Sequence, residues 1–170
     1  MATYYVRTDG NDSNTGTGPG VGQAWLTITK AIGATGIAPG DTLYIAPGVY
    51  RGNFTAAFTN PANEGQRVTI AGDPNATLFT GVNAGPVILT NYTNITTSSN
   101  LAGLTIAKDY VSLIDLCFIN SVTGSGSAPF GESVVITSTA FIMNRCLSHS
   151  RENNLEAHGF YITVPQLYGS

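Results

Sequence analysis

The fold this 170-residue sequence predicts is an all-β solenoid, in which coils of three short strands stack in parallel behind a short N-terminal helix. Three observations predict it. Gly, Thr and Asn fill 56 positions, a third of the chain, and that mix favours strands joined by tight turns. Beyond Arg67 the apolar residues come in runs of three to five, each bounded by turn residues. Two stretches in the C-terminal half also repeat one another.

Thr3 to Val6 reads as a first strand, followed by a loop of solid turn chemistry from Asp9 to Gly20. Ile28, Ala31 and Ile32 recur at helical spacing, which predicts a short amphipathic helix over 25–35, ended by Gly33 and Gly36. Pro39-Gly40-Asp41 and Pro47-Gly48 are turns on either side of a strand at Thr42–Ile45, and Val49-Tyr50 opens another extended piece. Strands are then expected at Val68–Ile70, Pro86–Leu89, Leu104–Ile106, Val111–Leu113, Leu116–Ile119, Val134–Ile136, Phe141–Met143 and Phe160–Ile162. Residues 1–66 form the cap region and 67–170 the coils, in one compact domain or a fragment of a longer chain.

The repeat supports stacking. Asp109–Ser121 aligns with Ser138–Ser150 at an offset of 29, with Leu113 on Ile142, Asp115 on Asn144 and Cys117 on Cys146. A single coil cannot bury its own apolar side chains, but coils stacked at the ~4.8 Å strand spacing build a continuous interior. On this alignment Asp115 and Asn144 share one corner of successive coils, Cys117 and Cys146 stack as neighbours, and His149 is a turn residue. The insertions Val122–Ser133 and Arg151–His158 leave from a common corner, where solenoids usually build their binding face.

Three segments carry a family likeness: Tyr4-Tyr5-Val6, then Gly10–Gly16, then Ala24–Ile32. With Pro39–Arg51 and Arg67–Pro74 they resemble the opening of pectin-lyase-like proteins. The resemblance covers residues 4–75, and the strand pattern extends it through Ile162. It implies a right-handed, single-stranded parallel β-helix whose N-terminal helix plugs the open end of the solenoid. That superfamily holds polysaccharide lyases, hydrolases, epimerases and virion parts, so the fold leaves the function open.

Composition narrows the choices. Only 10% of residues are charged, the net charge is −3, and the seven Lys and Arg are scattered, which argues against a nucleic-acid partner. No apolar run approaches the ~20 residues that span a bilayer, so no membrane partner is expected. Met1–Arg7 has neither a basic nor an apolar signal region, so no secretory leader is expected. Two cysteines are too few for a disulfide framework.

Arg151–His158 is the densest ionisable cluster. Arg151 or His158 could take the proton beside a uronate carboxylate, as a lyase requires, with Glu152 and Glu156 holding a metal. As a hydrolase pair, Glu152 and Glu156 would flank a sugar bond. Lys108, Asp109 and Glu132 could join such a site, and Tyr92, Tyr161 and Tyr168 could stack on sugars. Against this stands the plainer reading of a solvated loop. Asp9, Asn11 and Ser13 alternate like calcium ligands, but Gly20 stands where the closing acid belongs. A self-bonded turn is therefore expected, and no cofactor. The favoured reading is a non-enzymatic phage virion protein, a capsid decoration or tail fibre or spike component. It would form a homo-oligomer, a trimer by preference, and contact other virion proteins. The alternative is a carbohydrate-active enzyme or enzyme fragment acting on an acidic polysaccharide.

Overall fold

The structure is a computed structural model that describes residues 1–90, 103–121, 134–138, 140–151 and 160–163. Its first strand, β1 (Thr3–Val6), is followed by the helix α1 (Ile28–Ile32). Four passes of three strands follow. They are β2 (Thr42–Ile45), β3 (Gly48–Arg51) and β4 (Phe54–Thr55); then β5 (Val68–Gly72), β6 (Val87–Thr90) and β7 (Leu104–Ile106). The last two are β8 (Val111–Ile114), β9 (Cys117–Ser121) and β10 (Val134–Thr137); then β11 (Phe141–Asn144), β12 (Leu147–Arg151) and β13 (Phe160–Thr163).

Each pass lays one strand on each of three sheets. The first sheet runs β1-β2-β5-β8-β11, the second β3-β6-β9-β12 and the third β4-β7-β10-β13, and every pairing is parallel. The sheets run without a break across residue 66, because β2 pairs with β5, β3 with β6 and β4 with β7. The described residues are thus all-β in character, with parallel sheets and very little helix.

Alternation along each strand decides which side chains face inward. On the first sheet Tyr4, Leu43, Ile70, Leu113 and Met143 lie in one register row. On the second the inward row is Tyr50, Leu89, Phe118 and Ser148, and on the third Phe54, Leu104 and Val134. Leu43, Ile70, Leu113, Leu89, Phe118, Leu104 and Val134 are all buried in one continuous core. Packed rows of this kind are what make a stack of short strands stable, since no single pass has a core of its own.

The predicted repeat spacing needs correction. Cys117 pairs with Leu147 and Leu113 with Met143, a spacing of 30 residues rather than 29. Cys117 and Cys146 therefore do not stack. Cys146 takes the place of the buried Leu116 and packs against the core, whereas Cys117 shares an outward row with Val49, Ile88 and Leu147. Nor do Asp115 and Asn144 share a corner. The corner belongs to Asp115 and Arg145, both left-handed at φ 55° and 50°, and Asn144 pairs with Ile114. His149 lies inside β12 beside Ile119 and is not a turn residue. Matching the two cysteines by identity shifted the alignment by one, and a one-residue slip exchanges the two faces of a strand.

The helix is shorter than 25–35. Trp25 makes a bridge with Val6, and its backbone N–H and C=O are bonded to Tyr5 and Arg7, so it belongs to the sheet edge. Asp12 accepts from the N–H groups of Leu26 and Thr27, and Thr27 caps the helix by accepting from Lys30 N at 3.1 Å. Ile28, Ala31 and Ile32 turn inward and are buried. They join the core, and the Ile32 carbonyl accepts from Ala57 N at 2.8 Å.

Arg67 ties three passes together from outside. Its guanidinium pairs with Glu64 and donates to the carbonyls of Val111 and Ala140, each at 3.2 Å.

Candidate functional site

The strands β6, β9 and β12 are neighbours in the second sheet and run in the same direction. The stretches that continue from them, 91–102, 122–133 and 152–159, therefore attach along one edge of that sheet. Ser121 and Arg151, the last residues of β9 and β12, are register partners. This edge is the candidate site, because three inter-strand segments of eight or more residues depart from it. Of the sequence-predicted site residues, Arg151 ends β12. Glu152, Glu156 and His158, together with Glu132, Tyr92 and Tyr168, lie outside the described residues. Tyr161 lies within β13.

Lys108 and Asp109 sit elsewhere. They lie between β7 and β8, on the corner leading from the third sheet to the first, whereas the candidate edge leads from the second to the third. Asp109 and Asn60 bond reciprocally there: Asn60 Nδ2 donates to Asp109 Oδ2 at 3.1 Å, and Asp109 N donates to Asn60 Oδ1 at 2.7 Å.

The side-chain oxygens of Asp9 and Asn11 make local contacts. Arg7 Nε and Nη2 donate to both carboxylate oxygens of Asp9. Asn11 Oδ1 accepts from Ser13 N at 2.9 Å, a self-bonded Asx turn. Asp12, not singled out from the sequence, holds the entry to the helix and also accepts from Thr27 Oγ1 at 2.7 Å. Among the described residues no three of His, Cys, Asp and Glu come together as a metal site.

Three carboxyls among the described residues are held below the usual range by arginine: Asp9 by its hydrogen bonds from Arg7, Glu64 by those from Arg67, and Asp115 by those from Arg145. A carboxyl whose folded pKa is depressed stabilises the fold above its unfolded pKa of about 3.9, and that stability disappears as pH falls through the lower folded value. The thermal midpoint should therefore hold from neutrality down to about pH 5 and drop below about pH 4. The drop should be smaller for Asp9→Asn and Asp115→Asn. An unchanged drop in both variants would assign it to other carboxyls. Exposure keeps the effect small, since the Asp9 side chain is 58% accessible and salt screens it. Burial pushes both cysteine thiols up, which makes them poor nucleophiles at neutral pH.

An open cleft of about 220 Å³ lies between the start of α1 and strands β3 and β4, lined by Thr8, Leu26, Thr27, Val49, Arg51 and Phe54. Thr27 is already committed to the helix cap and to Asp12. No local sequence signal could have revealed this cleft, because its walls come from three separate segments.

No helix among the described residues is long and apolar enough to cross a membrane. No protein-family model matches the chain, and no curated protein matches it.

Proposed function

We propose that this chain is a right-handed parallel β-helix of the pectin-lyase-like kind, and that it serves as a non-enzymatic structural part of a phage virion. A capsid decoration protein or a tail fibre or spike component fits, assembled with copies of itself and with other virion proteins. The coil arrangement and the plugged N-terminal end support the fold reading, and parallel strands joined within one sheet are almost always connected right-handedly. The observation that carries the structural role is the last pass, whose core-facing residues Phe141, Met143 and Cys146 are only partly buried. Partly buried apolar side chains in a pass of the stack are a surface that assembly would cover.

Light scattering on the full chain over a hundredfold concentration range tests the reading. A discrete oligomer that persists on dilution is expected. A monomer that cleaves an acidic polysaccharide would replace the structural role with an enzymatic one.

A second reading, a polysaccharide lyase or hydrolase, is favoured by one observation: the shared sheet edge that carries 91–102, 122–133 and 152–159. A polysaccharide panel with and without calcium, run beside Glu152→Ala, Glu156→Ala and His158→Ala, tests it. Activity lost in at least one variant would support the enzyme.

A further inference from the structure

We infer that the cleft beside β3 and β4 is a binding site for a small aliphatic carboxylate, in which Arg51 meets the carboxylate and Leu26 and Val49 meet the hydrocarbon. Neither role proposed above calls on this cleft.

Its volume sets the size of the ligand. The cleft encloses about 220 Å³, below the ~300 Å³ at which sites for drug-sized molecules begin. At ~30 Å³ per water that is room for about seven waters, or for a molecule of about six to ten heavy atoms.

The walls set its chemistry. Leu26 and Val49 are 39% and 45% accessible, and they line the cleft from separate segments of the chain. A hydrocarbon placed between them removes apolar surface from water on both sides. Phe54, also in the lining, belongs to the core. Among the described residues that line the cleft, Arg51 carries the one charge. It ends β3 and is exposed. A guanidinium has five N–H donors in a planar fork, so a bond to a neighbour still leaves donors for a carboxylate. A cation beside aliphatic walls selects a molecule with an anion at one end and hydrocarbon behind it.

A sugar suits this lining less well. It brings a hydroxyl on nearly every carbon, and each one that is buried needs a polar partner. Thr27 Oγ1 already bonds to Asp12 and to Lys30 N, and the Tyr50 hydroxyl donates to Ala46 O at 3.0 Å. Among the described lining residues that leaves the hydroxyls of Thr8 and Thr29.

Both walls are set before a ligand arrives. The N–H groups of Leu26 and Thr27 each donate to Asp12 Oδ1 at 2.9 Å, and Asp12 itself is not part of the lining. On the other side Val49 and Arg51 are register partners of Ile88 and Thr90, and Gly52 N donates to Thr90 O at 2.8 Å. Thr8 reaches the cleft because residue 48 is glycine: a Cβ there would stand 2.7 Å from Thr8 Cγ2. A preformed site loses little conformational freedom on binding.

Titration of the full chain with hexanoate at constant ionic strength, followed by amide chemical shifts, tests the site. Saturable shifts are expected at residues 8, 26–29 and 49–54, with a Kd of about 1 mM, as suits about eight heavy atoms in an open cleft. Hexanol, which lacks the charge, and acetate, which lacks the hydrocarbon, should each bind about tenfold more weakly. So should glucuronate, which carries the same charge on a polar body. Arg51→Gln should weaken hexanoate binding about tenfold and Val49→Ser about threefold. Leu147→Ser, which alters a 63% exposed side chain of β12, should leave it unchanged. If either cleft variant does not fold, the ligand series on the unaltered chain decides by itself. Hexanol, acetate or glucuronate binding as tightly as hexanoate would overturn the assignment. So would the lack of any saturable shift at these residues at tens of millimolar hexanoate.

Discussion

Replacing Trp25 by alanine is expected to lower the stability of the fold by about 3–5 kcal/mol, the range for deleting a buried aromatic side chain. Trp25 is 4% accessible and stacks on Tyr4 with ring centroids 5.0 Å apart and planes 8° apart. Its indole Nε1 donates to Asn14 O at 2.8 Å, and Lys30 Nζ lies 5.9 Å from the ring centroid. The loop is shaped around this ring. Gly16 holds φ +75°, and a Cβ there would come within 2.4 Å of the indole. One side chain thus joins the first strand, the turn-rich loop and the start of the helix. Urea unfolding followed by far-UV circular dichroism measures the loss, since the variant has no tryptophan left for fluorescence. Trp25→Phe should keep much of the stacking and lose the bond to Asn14, at about 1 kcal/mol for that bond. A loss below about 1 kcal/mol for Trp25→Ala would mean that the loop and helix unfold apart from the coils.

The parts of this fold that were legible in the sequence are those set by alternation. Val68–Ile70, Leu104–Ile106 and Val111–Leu113 each place two apolar side chains on one face, and each forms a strand. The parts that were not legible depend on partners distant in sequence. Phe54–Thr55 is too short to show a pattern, yet it becomes β4 because its backbone meets Leu104 and Thr105. Trp25 looked helical by its neighbours and was drawn to the sheet edge by Tyr5 and Arg7. The corner pair shows the limit most clearly. An arginine at φ 50° is an uncommon residue for a left-handed turn, so nothing local marked Arg145 as the counterpart of Asp115. At the Asp9 loop the alternating oxygens were plain, but the sequence could not show that Arg7 folds back onto Asp9. The candidate edge was legible as two insertions of the repeat, and the register of Ser121 with Arg151 places their departure points side by side.

Leu113→Ala and Met143→Ala, chemically similar truncations one pass apart in a single register row, should have different costs. Leu113 is 0% accessible, so its truncation leaves a cavity and should cost about 2–5 kcal/mol at any protein concentration. Met143 is half-buried, and in dilute solution its truncation should cost only about 1 kcal/mol, since part of the side chain is already in water. If a second copy covers that pass, the unaltered protein gains stability by mass action as concentration rises. The Met143 variant gains less, because it binds its partner less tightly. The gap between Met143→Ala and the unaltered chain should therefore widen with concentration, while the gap for Leu113→Ala stays constant. Thermal midpoints at two concentrations a hundredfold apart are enough to see this. A Met143→Ala cost equal to that of Leu113→Ala in dilute solution would show that a single chain already covers Met143 fully, and the support this pass gives to assembly would be lost.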